Sequence, residues 1–212
     1  MKQPTTIAVL GGGGKTGTYL VQELLHRGYQ LKLLLRQPDT LSISSPSIYI
    51  CKGDAIHYED IRALVRGCDA IISTVGQRPN EPLVASQVTN HLLRVMDEFQ
   101  IRRYISVAGL NLDTPTDQKS ARTQMATDWM KATYPTIHED RQKAYKVLAQ
   151  NPVDWTLVRV PFIEFTDSSG ATEVDLVDCP GEKVRATDLA SFLADQLTDT
   201  RYYRQSPFVA SL

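Results

Sequence analysis

Apolar residues arrive along this chain in two rhythms. Short runs dominated by them stand at IAVL (residues 7–10), LKLLL (31–35), IYIC (48–51), DAIISTV (69–75), RYISV (103–107) and WTLVRV (155–160). Such runs, bounded by glycine or polar residues, suit strands buried on both faces of a sheet. Between them the spacing turns helical. Leu20, Val21, Leu24 and Leu25 share one face, and His26-Arg27-Gly28 follows with basic residues and a terminating glycine. Residues 58–66 predict a short helix, with Glu59 and Asp60 in its first turn and Gly67 after it. Val84, Val88, Leu92, Val95, Met96 and Phe99 mark a longer one, and Ala144, Val147 and Leu148 another. TDLASFLADQL (187–197) predicts a last amphipathic helix with Thr187 as its N-cap.

Strand and helix therefore alternate through most of the chain. Parallel strands need crossover connections, and helices filling those crossovers cover both sheet faces. The expected fold is α/β: a Rossmann-type, doubly wound, mostly parallel sheet. We expect a single domain over residues 1–212, with small C-terminal elements on the substrate side. Ligands should bind at the carboxyl ends of the strands. The most polar long stretch, NLDTPTDQKSARTQ, begins a segment at 111–136 that reads as an insertion or lid.

The first strand runs directly into GGGGKTG (11–17). Gly14-Lys15-Thr16 matches the end of a triphosphatase loop, but that loop needs a glycine at position 9, which is Val9 inside the strand. The dinucleotide pattern fits better. Gly11, Gly14 and Gly17 recur every third residue, and Gly12, Gly14 and Gly17 satisfy G-x-G-x-x-G. A turn of this kind, placed after a buried strand and opening a helix, lets backbone N–H groups meet a pyrophosphate at the helix N-terminus. At the end of the second strand stands Arg36, where an acid would favour NAD. A guanidinium there can fork onto a 2′-phosphate, with Lys15 as a second nearby charge. The expected cofactor is NADP(H) in preference to NAD(H). Asp54, after the third strand, either accepts from adenine or simply makes a turn. The small residues around Gly76 let the cofactor ribose pass.

Composition narrows the alternatives. The 212 residues carry a formal net charge of −1, so no global basic field would draw nucleic acid or an anionic membrane. Cys51, Cys68 and Cys179 are far apart and odd in number, which argues against a disulfide framework or a metal site. No apolar run approaches the roughly 20 residues that span a bilayer. A cytoplasmic monomer is expected.

The GGGGKTG turn, LLLRQ, CKGDAIHYEDIRALVRGCDAII, RRYISVAG and WTLVRVPFI occur in that order. Together they resemble the atypical short-chain dehydrogenase/reductase group in its NmrA-like, NAD(P)H-binding branch. Within it the chain is most similar to the NADH-flavin reductases and the flavin/biliverdin-IX-beta reductase type, over about residues 7–197. The resemblance implies that Gly11, Gly14, Lys15, Thr16 and Gly17 hold phosphates and Arg36 takes the 2′-phosphate. It implies that Asp54 and Ala55 lie against adenine, and that Thr74, Val75 and Gly76 line the nicotinamide ribose. Val107, Ala108, Pro161 and Phe162 would border the nicotinamide. The chain departs from the pattern in two places. Many relatives carry serine where the fifth strand ends, but here Ser106 comes one or two places early. Phe162 stands where the biliverdin-type enzymes have histidine.

Alcohol dehydrogenation in related enzymes uses Tyr-x-x-x-Lys, in which the lysine lowers the tyrosine pKa. No such pair follows the fifth strand: Tyr134 leads to His138 across Pro135, and Tyr145 leads to Ala149. Ser106 and His138 are the remaining catalytic candidates. Flavin or quinone reduction needs less, because the added charge delocalises and positioning carries most of the catalysis. The expectation is hydride transfer from NADPH to a flat conjugated acceptor, with a non-catalytic NADP(H) sensor as the alternative. Met125, Trp129, Met130 and Tyr134 are expected on the acceptor side.

Overall fold

A computed structural model describes residues 5–78 and 81–212. The first half repeats one unit: β1 (Thr6–Leu10), α1 (Lys15–His26), β2 (Gln30–Leu35), β3 (Ile48–Lys52), α2 (Tyr58–Val65), β4 (Ala70–Ser73), α3 (Ala85–Phe99) and β5 (Arg103–Gly109). The second half holds α4 (Ala121–Thr133), α5 (Pro135–Ala149), β6 (Asp154–Val160), β7 (Phe162–Glu164), β8 (Thr172–Asp175), β9 (Lys183–Arg185), α6 (Ala186–Asp195) and β10 (Phe208–Ser211).

Eight strands form one sheet in the order β3-β2-β1-β4-β5-β6-β10-β8, and β7 and β9 pair separately. β10 continues the parallel sheet beside β6, and β8 closes the edge antiparallel to β10. The expected doubly wound α/β sheet is therefore present, and the chain order reverses between β1 and β4. That reversal opens a crevice at the carboxyl ends of the central strands.

Successive residues of a strand face opposite sides, so each central strand feeds two cores. Ile7 and Val9 of β1 pack with Leu20, Leu24, Leu189 and Leu193 beneath α1 and α6. Ala8 and Leu10 pack with Ile61, Leu64, Leu92 and Met96 beneath α2 and α3. This two-sided burial is why the strands read as nearly unbroken apolar runs.

The last helix corrects its expected cap. Arg185, not Thr187, is its N-cap, and the Thr187 hydroxyl donates to the Ser168 carbonyl. Asp188 inside the first turn accepts from Gly170 N and Ser211 Oγ, tying the C-terminal strand to the helix start.

The start of the 111–136 segment is fastened to the sheet. Arg159 of β6 is fully buried and donates to Asp117 Oδ1 at 2.6 Å, to the Leu112 carbonyl at 3.2 Å and to the Ser206 carbonyl at 2.9 Å. Its guanidinium lies 3.5 Å from the Phe208 ring centroid. Lys119 bonds Asp113 Oδ1 at 2.7 Å, and Ser120 caps α4. Beyond that anchor, α4 leaves Met125, Trp129 and Tyr134 exposed.

Candidate functional site

The glycine turn is built for close approach. Gly11 has φ +80°, a left-handed value that favours glycine, and its carbonyl accepts from Gly14 N at 2.9 Å. A methyl group on Gly17 would collide with that same carbonyl, so only glycine lets α1 lie so close to the turn. Gly14 is the N-cap of α1 and offers no side-chain cap. The first-turn N–H groups of α1 are thus left for an anion.

Two adjoining cavities open beside this turn. One, of about 290 Å³, is lined by Gly11, Gly14, Arg36, Asp54, Ala55, Thr74, Val75 and Gly76. The other, of about 480 Å³, is lined by Thr16, Ser106, Val107, Ala108, Pro161 and Phe162, and shares Thr74, Val75, Gly76 and Val88 with the first. Thr74 N–H and Oγ1 both reach the Leu10 carbonyl, at 3.0 and 3.3 Å, which fixes the partition between them. The dimensions and the glycine wall fit a dinucleotide laid from the first cavity into the second.

Some expected residues take other places. Gly17 lines neither cavity and acts through packing. Lys15 is exposed, with its Nζ 5.7 Å from the Phe165 ring centroid. Asp54 accepts from Ile56 N at 3.2 Å with one oxygen, making the turn, while the other stands 3.7 Å from Arg36. His138 is buried in the first turn of α5, with Nδ1 3.4 Å from Asn111 Nδ2 and Nε2 3.9 Å from Asp113, outside the lining of either cavity. Burial lowers its pKa, partly countered by Asp113. The acceptor side is not built from Met125, Trp129, Met130 and Tyr134: none of them lines the cavities, and Trp129 instead packs edge-on against Tyr134. The weakly amphipathic α4 lies too far out to turn these residues inward.

Other residues do the lining. On the adenosine side Glu81 accepts both guanidinium edges of Arg36, each at 3.0 Å, and Arg78 stands 3.7 Å from the same carboxylate. The second cavity is also lined by Tyr104, Arg141, Ala144, Tyr145, Ile163 and Phe165. Tyr104 shares a strand face with Ser106, two residues on, and its hydroxyl bonds Ser106 and Ser73. Burial pushes that phenol up to about 12. Arg141 and Tyr145 lie one helical turn apart on α5, and burial also raises the Tyr145 hydroxyl. The i, i+4 spacing of Arg141 and Tyr145, and the i, i+2 spacing of Tyr104 and Ser106, are the sequence signals that mark them.

A parallel sheet with a glycine turn at its switch point defines an NAD(P)H-binding oxidoreductase fold. The sequence pattern of the NAD(P)H-binding family matches residues 11–200, and the chain belongs to that family. Among solved structures it is similar to a short-chain dehydrogenase/reductase from Veillonella parvula in complex with NADP, with TM-score 0.81 and 16% identity over 98% of this chain and 95% of that one. It is also similar to an anaerobillin reductase from Escherichia coli O157:H7, with TM-score 0.80 and 18% identity over 98% and 97% of the two chains. Cinnamoyl-CoA reductase 1 of Petunia hybrida is 23% identical over 198 residues, which cover 79% of this chain and 59% of the plant enzyme. Among the described residues no helix is long and apolar enough to cross a membrane.

Proposed function

We propose that the chain is an NADPH-dependent reductase that passes a hydride to a flavin, quinone or similar flat conjugated acceptor. The observation that carries this reading is the 480 Å³ cavity at the ends of β5 and β6, which adjoins the glycine turn and is walled by aromatic side chains. Phe162 is 74% exposed and Phe165 45% exposed at its rim, two faces on which a planar ring can stack. Bound NADPH supplies the hydride, and the protein supplies alignment and shelter from water. The acceptor, with one hydride and one proton from solvent, becomes its two-electron-reduced form.

The groups facing the cavity suit this chemistry better than carbonyl reduction. Reducing a CoA thioester, the activity in the name of the plant relatives, puts charge on a single oxygen and calls for a proton donor at once. Tyr104 and Tyr145 both hold their protons more tightly than a free phenol, and Ala149 follows Tyr145 where a lysine would ease that. A delocalised product tolerates a late proton. The same Ala149 favours a second reading, an NADP(H) sensor that binds without turnover.

NADPH preference rests on Arg36 and Arg78 beside the first cavity. Glu81 now occupies the Arg36 fork, so a 2′-phosphate has to displace it. Replacing Glu81→Gln removes the competing charge and is expected to tighten NADPH about tenfold relative to NADH. Arg36→Glu is expected to reverse the preference. The deciding assay follows loss of reduced-nicotinamide absorbance with FMN or a quinone present. Turnover faster with NADPH supports the reductase. Tight NADPH binding with no turnover across flat acceptors supports the sensor, and equal affinity for NADPH and NADH removes the preference.

A further inference from the structure

The acceptor cavity contains one cation without a partner. Arg141 lines it from α5, yet among the described residues no hydrogen bond or ion pair holds its guanidinium. The carboxylates of Asp140, Asp113 and Asp117 are committed elsewhere. Asp140 accepts from Ala85 N at 2.8 Å and from Ser86 N and Oγ, capping the start of α3. Asp113 pairs with Lys119 and Lys131, and Asp117 with Arg159. Burial disfavours the charged guanidinium, and only Asp140 electrostatically offsets this. An arginine so placed, with five donors in a fixed fork, is a receptor for a carboxylate or phosphate oxyanion.

The oxyanion does not come from the cofactor as the site is laid out. Gly11, Gly13, Gly14 and Arg36 line the first cavity, whereas Arg141 lines only the second. Gly109 neighbours this guanidinium: a methyl group there would collide with Asn111 Oδ1 and come into ordinary contact, at 3.8 Å, with Arg141 Nη1.

We propose that the acceptor is an anion: a conjugated ring system carrying a carboxylate or phosphate arm that Arg141 grips while the ring lies against Phe162 and Tyr145. The proposal rests on the reading of this cavity as the acceptor site, and it adds the charge class of the substrate. Its test uses matched pairs with and without the arm. FMN and riboflavin share one ring and differ by a phosphate, and biliverdin and its dimethyl ester differ by two carboxylates. Dissociation constants of all four are measured by fluorescence quenching or absorbance on the wild-type protein saturated with NADP⁺, where no turnover occurs. Tighter binding of the charged member of either pair, by tenfold or more, is expected. A phosphate-bearing acceptor is favoured if only FMN gains, a carboxylate-bearing one if only the bilin does. The same ratio in Arg141→Gln is expected to fall toward one, and Arg141→Lys to restore part of it. A ratio near one for both pairs in the wild type overturns the proposal, as does a ratio untouched by Arg141→Gln. Anion-selective binding without NADPH oxidation would leave the Arg141 anion site standing and defeat the reductase reading instead. Turnover with no charge selectivity would do the opposite.

Discussion

At the scale of single residues, Tyr104 shows how burial sets chemistry. Its hydroxyl sits at the floor of the acceptor cavity between Ser73 and Ser106, and its pKa is pushed up to about 12. An unfolded tyrosine titrates near 10. Between about pH 10 and 12 the native state therefore keeps a proton that the unfolded chain has lost. The unfolded state binds fewer protons there, so stability falls as pH rises. The contribution is fully present below pH 10 and is gone once pH passes the native value of about 12. Tyr104→Phe removes this term. Its urea-unfolding free energy is expected to decline less steeply than the wild type's above pH 10, by on the order of 2 kcal/mol in total. Parallel declines would mean that Tyr104 does not hold its proton. Near neutral pH the same phenol stays protonated and is a poor acid, in keeping with an acceptor that takes its proton from water.

At the scale of elements, one buried ion pair joins the polar 111–120 stretch to the sheet. Arg159 is completely buried, and Asp117 is the carboxylate it touches. Removing one partner of such a pair strands a charge in a low-dielectric interior, which costs about 3–5 kcal/mol. Asp117→Asn is expected to lower stability by about that much. Amide exchange should rise first in residues 111–120, because only the carbonyls of Leu112, Leu176 and Ser206 then hold the guanidinium. Exchange that rises equally throughout the chain would show that the pair supports the whole fold and not this anchor. Much of this level was legible in the sequence. Strands β1, β2, β4, β5 and β6 announce themselves because most of their residues are buried, and the glycine turn because its geometry tolerates little else. β3 reads as an apolar run too, but it lies at the sheet edge with Tyr49 and Ile50 exposed. β8 and β9 were not legible: TEVD and KVR are short, polar and half exposed, and they pair only because β10 and β7 present an edge. The wall of the acceptor cavity was hidden for a related reason. The spacing to Tyr145 puts Arg141 on the cavity face, but nothing local shows that it would stand alone among the charged residues of α5. Its isolation exists only once Asp140, the next residue back, has been drawn off to cap α3.

At the scale of the whole molecule, the two cavities divide one ligand path between the halves of the sheet. Occupancy of that path should appear as stability whether or not chemistry follows. A ligand bound only by the folded state, at a hundred times its dissociation constant, adds about 2.7 kcal/mol. For a chain of 212 residues each kcal/mol moves Tm by roughly 2–4 °C. NADPH is therefore expected to raise Tm by roughly 5–10 °C at that concentration, and NADH by less at the same concentration. Thr74, Val75 and Gly76 wall both cavities, so a dinucleotide laid from the first into the second completes the surface against which an acceptor lies. FMN added to the NADP⁺ complex is expected to give a larger Tm increment than FMN added to the protein alone. Equal increments would mean that the two ligands bind independently, and the acceptor ring would then have no fixed relation to the hydride donor. A larger increment with the dinucleotide present is what shared walls require, because the second ligand then meets a surface that the first has already ordered.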